Sequence, residues 1–196
     1  MKHESAMHDA ALLLARGVLG ASIAGHGAQK LFGWFGGPGP ENAGKLFGSL
    51  GFQPPDQMAR LASLTEIAAG LLIASGAGGP IGPMLLTSVM ATAAGSFHLK
   101  NGYWAANQGY ELNVMYGLLA LLLAVEDHGR YSLDEIVGIR PKTHPGFGWL
   151  AFAGGVGAAL FMLSRREMQT PQEQPASPTE VGTLGEPAEN ITPATQ

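Results

Sequence analysis

The sequence predicts an all-α integral membrane protein: a four-helix bundle core joined by a fifth C-terminal transmembrane helix. Three observations predict this. Charged residues make up 13% of the 196-residue chain and hydrophobic ones 46%, against about 25% charged in an average globular domain. No Asp, Glu, Lys or Arg occurs from Ile67 to Leu99, with Gly78-Gly79-Pro80 as punctuation in the middle. Three further apolar runs occur elsewhere, and a span needs ~20 residues. A soluble all-α protein would need a water-facing stripe on each helix, and residues 67–99 offer none.

The elements follow in order. Residues 1–9 form a polar N-terminal segment. Residues 10–25 (AALLLARGVLGASIAG) form the first helix, interrupted by Arg16; that early charge does not fit the apolar run of a cleavable signal peptide. Residues 33–57 form a loop, within which residues 41–50 read as a short interfacial helix begun after Pro40 and stopped at Gly51. Its Gly-rich start lacks the Lys-Ser/Thr of a phosphate loop. The second and third helices cover residues 60–77 and 81–99, joined by the Gly-Gly-Pro turn. The fourth is LNVMYGLLALLLAV, residues 112–125, completed by Tyr110 and Glu111. Together residues 10–138 make the core.

Ser132-Leu133-Asp134-Glu135 is a capping box that begins a short helix. Residues 139–166 hold a linker and the fifth helix, residues 145–164. Its Gly154, Gly155, Gly157, Ala158 and Ala159 suit close helix packing in lipid. Residues 167–196 are rich in Pro, Glu and Thr and carry five acids and no base. Such a segment buries too little apolar area to offset its ordering entropy, so a disordered acidic tail is expected.

The composition excludes several functions. The chain has no cysteine, hence no disulfide framework, thiolate-bound cofactor or Cys nucleophile. A net charge of −4 speaks against nucleic acid as a partner.

Threading alternating helices through a bilayer sorts the polar residues. With the first helix starting at side A, side B receives His26 and Lys30, Glu66, His98, and Glu111, from four different helices. Side A is expected to hold no comparable cluster within the spans. Intramembrane charges face the bundle interior and mark function, yet each residue also has a structural explanation. Glu66 can serve as the ion-pair partner of Arg16 or Lys30. His26 and His98 suit helix C-termini and Glu111 a helix N-terminus. Arg16 is expected to pair with Glu66 or to hold the polar part of a ligand. Trp34, Phe35, Phe47, Phe52, Tyr103, Trp104 and Tyr110 also fall on side B, most as an interfacial aromatic belt, with lining a mouth over the polar cluster as the alternative for some. Basic residues occur on both sides, so they do not fix the orientation.

The segments LLLARGVLG, GHGAQKLFGWFGGPG, LTEIAAGLL, HLKNGYW, GYELN and GRYSLDEIVG together resemble the DoxX family of small bacterial membrane proteins, over about residues 10–138. The resemblance implies a four-helix bundle, a multi-pass protein of the bacterial inner membrane, and an association with quinone-linked redox systems. Matched by position, the family's polar residues are Arg16, His26, Lys30, Glu66, His98 and Glu111. The chain departs from the family in reading EDHGRYSLD, where Gly-Pro-Gly often precedes Arg-Tyr-Ser, and in its fifth helix and tail.

The expected function is a quinone- or small-molecule-binding component of a membrane oxidoreductase, with the lipid bilayer as its setting. Quinol oxidation releases protons, so the site needs a base and hydrogen-bond donors. Glu66, Glu111 and His98 are assigned to catalysis, and Arg16, His26 and Lys30 to holding substrate. Electrons would come from a partner, such as a soluble redox enzyme. A metal held by His26, His98, Glu66 and Glu111 is disfavoured because the four are far apart in sequence. The alternative from another class is a non-catalytic adaptor whose acidic tail recruits a soluble enzyme. Transport is a third reading, opposed by the small bundle and the lack of an inverted repeat.

Overall fold

The computed structural model describes residues 2–126, 129–139 and 145–167. Among these residues it is a helical bundle without strands. The tail at 168–196, Arg140, Pro141 and Lys142 lie outside the described residues.

Helix α1 runs Lys2–Phe32, so the polar N-terminal segment is helical from Lys2 onward. At 1.5 Å per residue it is about 46 Å long, more than the ~30 Å hydrocarbon core. The loop after it holds the expected short helix, α2, Gly39–Ser49. Helix α3, Pro55–Ser75, has Pro in its first turn, where the missing N–H costs nothing. It ends in a Schellman motif: Gly76 takes the left-handed conformation, its N–H donates to Ile73 O, and Ala77 N–H donates to Leu72 O. Helix α4, Ile81–Ala93, continues into a π-helical segment, Ala94–His98. Helix α5 is Glu111–Val125, α6 is Leu133–Ile136 and α7 is Pro145–Ser164.

Among the described residues, three helices are long and apolar enough to cross a membrane: Ala6–Phe32, Pro55–Ser75 and Gly146–Ser164. Helix α5 is shorter, with 15 residues, and α4 reaches span length by adding its π segment. The core between the helices is made by Leu19, Ile23, Ala69, Ile73, Leu86, Ala120 and Leu123. Outward faces are apolar too: Leu14, Val18, Leu64, Leu71, Leu122, Leu150 and Phe161 are exposed. A helix that is apolar all round belongs in lipid.

Helices α1 and α3 pack antiparallel and very closely. A Cβ on Gly20 would fall on the Gly70 carbonyl and 2.7 Å from the Ala74 Cβ. Helix α7 packs on α4 and α5. A Cβ on Gly155 would lie 2.6 Å from Met84 O, so the small residues expected to allow close packing do so here. Gly148 sits against Ala124 and Leu163 against Gly95, so α7 runs from side A to side B.

Side A is built by α6, outside the spans. Ser132 caps α6 by accepting from Glu135 N–H at 3.3 Å, as the capping box requires. The Asp134 carboxylate accepts from Gly78 N–H and Gly79 N–H, each at 3.0 Å. Asp9, buried on α1, accepts from Arg130 N–H at 3.2 Å.

Candidate functional site

A largely apolar cavity of about 400 Å³ opens at side B between α1, α2, α3, α4 and α7. Leu46, Phe47 and Leu50 of α2 line it, with Phe52, Met58 and Leu61, Leu85 and Val89, and Ala158 and Met162 of α7. Lys30, Thr65, Glu66, Ser88, Thr92, Ser96 and His98 bring polar atoms to the same wall. The site therefore combines a wide apolar surface with a few convergent polar groups, the usual build of a small-molecule pocket.

Glu66 is buried in α3 and its Oε1 accepts a hydrogen bond from Lys30 Nζ. The pair joins α1 to α3 and satisfies the burial of the carboxylate, which unpaired would be costly. The other oxygen, Oε2, is buried and accepts no hydrogen bond. Among the two partners considered for Glu66, the structure selects Lys30.

His98 ends the π segment and also lines the cavity. Its Nδ1 lies 2.6 Å from the carbonyl oxygen of Gln108. π-helical turns recur at functional sites, and this one brings Ser96, Phe97 and His98 to the cavity wall.

The other three expected site residues stand elsewhere, so the side-B convergence is smaller than alternation predicts. Arg16 is 1% exposed, but it lies at side A, where Nη2 donates to Tyr131 O at 3.4 Å. A Cβ on Gly76 would collide with its guanidinium, which places Arg16 level with the end of α3. It is not the partner of Glu66, and its Nε and Nη1 make no hydrogen bond. The physical reason is depth: Arg16 and Lys30 are 14 residues apart on one helix, about 21 Å at 1.5 Å per residue.

His26 is on the outer surface of α1, with Nδ1 3.2 Å from Gln29 Oε1. It borders a shallow groove with Ala21, Ser22, Gly25, Gln29 and Phe35, away from the main cavity. Glu111 turns to its own loop, where Oε2 accepts from Ala105 N–H at 2.9 Å. Among the described residues no group of three or more His, Cys, Asp or Glu is placed to hold a metal ion. The four-residue metal set considered from sequence is therefore not assembled.

Sequence reasoning missed Asp9, Gln108 and Arg166. Asp9 is seven residues before Arg16, on the same helix face, a signal that was available. Arg166 reaches from the end of α7 to Leu50 O and Ser96 O, both at 3.5 Å, and Glu167 N–H donates to Gly51 O at 2.8 Å. Gln108 is one of two non-glycine residues with positive φ, at 60°, and nothing in its neighbours announces this.

Of the aromatic residues expected at side B, Phe47 and Phe52 line the cavity, Phe52 being buried, and the others pack on one another in tilted or edge contacts. Trp34 packs on Phe32 and Phe35, and Tyr103 on Trp104 and Tyr110. Trp34, Phe35 and Trp104 are exposed, as an interfacial belt requires.

Comparison with known proteins agrees with the resemblance drawn from the sequence. The DoxX family model matches residues 11–99, from α1 to the residue after the π segment. The match ends within the HLKNGYW segment and does not reach GYELN or GRYSLDEIVG. An uncharacterized protein of Haemophilus influenzae is 33% identical over 67 residues, 34% of this chain. That stretch spans 42% of the relative's length. No solved structure matches the chain.

Proposed function

We propose that this membrane protein, whose residues 11–99 match the DoxX family, binds a lipophilic small molecule with a polar head, a quinone being the leading example. One observation carries the proposal: the Lys30–Glu66 ion pair stands in the wall of a largely apolar cavity. An ion pair serving stability alone is of little net benefit when buried. A polar head lodged beside it, with an apolar body along α2, α4 and α7, uses both kinds of wall. In this proposal Lys30, Glu66 and His98 handle the head group, with Glu66 as proton acceptor. Arg16, His26 and Glu111 have no part in it, because they stand at other places in the fold.

The chain has no cysteine and hence no thiolate-held redox centre. Redox turnover of a bound quinone would draw on a partner, such as a soluble redox enzyme. The bacterial inner membrane is the proposed location, in line with the family resemblance.

The test is mass spectrometry of an organic extract of the detergent-purified protein beside the Glu66→Gln/His98→Ala double variant. Near-stoichiometric quinone in the wild type, depleted in an equally well-folded variant, supports the proposal. Bulk lipid alone in both overturns it.

A further inference from the structure

The cavity holds hydrogen-bond acceptors that lack a donor, and this bears on which head group it takes. Glu66 Oε1 is engaged by Lys30, while Oε2 is buried without a donor. His98 Nδ1 faces the Gln108 carbonyl oxygen at 2.6 Å. A carbonyl only accepts, so Nδ1 carries the proton and Nε2 of the neutral ring is an acceptor. The tautomer is imposed from outside the ring. Gln108 is held at φ 60°, and its carbonyl also accepts from Asn101 Nδ2 at 3.2 Å. Such a conformation persists where the surroundings over-determine it, and it clusters at binding sites.

Of the four hydroxyls in the wall, Ser88 and Thr92 make no hydrogen bond to the described residues of the protein, while Thr65 and Ser96 are already used as donors. Thr65 Oγ1 donates to Leu61 O at 2.8 Å and Ser96 Oγ to Ala93 O at 3.4 Å. Both keep lone pairs and no free proton. Lys30 is the charged donor of the set.

We infer that the cavity selects lipophiles whose head carries an O–H donor, such as a phenol, hydroquinone or long-chain alcohol, over heads with carbonyl or ether oxygen alone. The inference rests on the proposed ligand site and names the chemistry it prefers. Within a quinone couple it assigns the tighter binding to the reduced, hydroxylated member. A hydroxyl accepts from Lys30 and at the same time donates to Glu66 or His98. A ketone or ether accepts from Lys30 and leaves the buried carboxylate oxygen without a partner. Sites built to receive a hydroxyl proton reject analogues that lack it.

The experiment titrates the full-length detergent-purified protein, by calorimetry, with 4-nonylphenol and with its methyl ether. The two probes share their lipophilic body and differ in the O–H. Saturable phenol binding at least about tenfold tighter than the ether is expected, the factor one hydrogen bond to a charged acceptor supplies. Equal affinities overturn the inference and leave the cavity as a ligand site. Absence of saturable binding by either probe overturns the proposed function and the inference with it. The wild-type comparison needs no substitution, so misfolding of a variant cannot blur it. In Glu66→Gln and in His98→Ala the ratio is expected to fall; an undiminished ratio in both, with unchanged thermal stability, also overturns the inference.

Discussion

Lys30 and Glu66, 36 residues apart in sequence, form an ion pair between α1 and α3 with the carboxylate buried and the ammonium partly exposed. Lysine suits the task because its long stem carries the charge inward from a helix end while part of the side chain stays in contact with water. The pair fixes the polar point of the cavity and the register of its two helices.

Removing one partner should cost more than removing both. Lys30→Met leaves a buried carboxylate without its cation and is expected to destabilise the protein by about 3 kcal/mol. The Lys30→Met/Glu66→Leu pair is expected to recover most of that loss and to bind no phenol. Thermal unfolding in detergent, scored as a double-mutant cycle, checks the first point. An additive cycle would refute the coupling.

Close packing of α1 on α3 leaves no room for a methyl group at Gly20, whose Cβ would meet Gly70 and Ala74. Gly20→Ala is expected to cost about 1–3 kcal/mol through backbone displacement. The intrinsic helix propensity of alanine acts in the opposite direction by about 1 kcal/mol, so a net gain in melting temperature would contradict the packing described.

At side A, Asp134 holds the turn between α3 and α4 through Gly78 and Gly79. Asp134→Ala removes two charge-assisted bonds and is expected to cost about 1.5–3 kcal/mol. Asp134→Asn, which keeps one accepting oxygen, should lose less. Hydrogen exchange at Gly78 and Gly79 reports the same event locally: both amides should exchange faster in Asp134→Ala, and unchanged rates would oppose the assignment.

Arg16 is buried with two nitrogens that make no hydrogen bond. Replacing such a group with an apolar side chain of similar length tends to be neutral or stabilising. Arg16→Met is therefore expected to leave thermal stability unchanged or raised, and to leave phenol affinity within about twofold, because the residue stands at the end of the bundle away from the cavity. A large loss of affinity would return Arg16 to the ligand site.

Much of this molecule was legible in the chain. Uncharged runs set the helices, Gly51 and the Gly78-Gly79-Pro80 turn their breaks, Ser132 to Glu135 a capped turn, and Gly155 a close approach, because each depends on local chemistry or on the lipid's intolerance of unpaired polar groups. The family match at residues 11–99 belongs to the same legible part. Alternation also placed Lys30, Glu66 and His98 correctly at one end of the bundle. What alternation cannot fix is depth along a helix and rotation about its axis. Those two quantities decide that Arg16 ends beside Tyr131, that His26 faces outward to Gln29, and that Glu111 turns to Ala105. The cavity itself is tertiary in origin, since its walls come from five helices and the His98 tautomer from a carbonyl ten residues further along the chain. Local sequence sets what each helix can offer; the packing of helix on helix decides which of those groups meet.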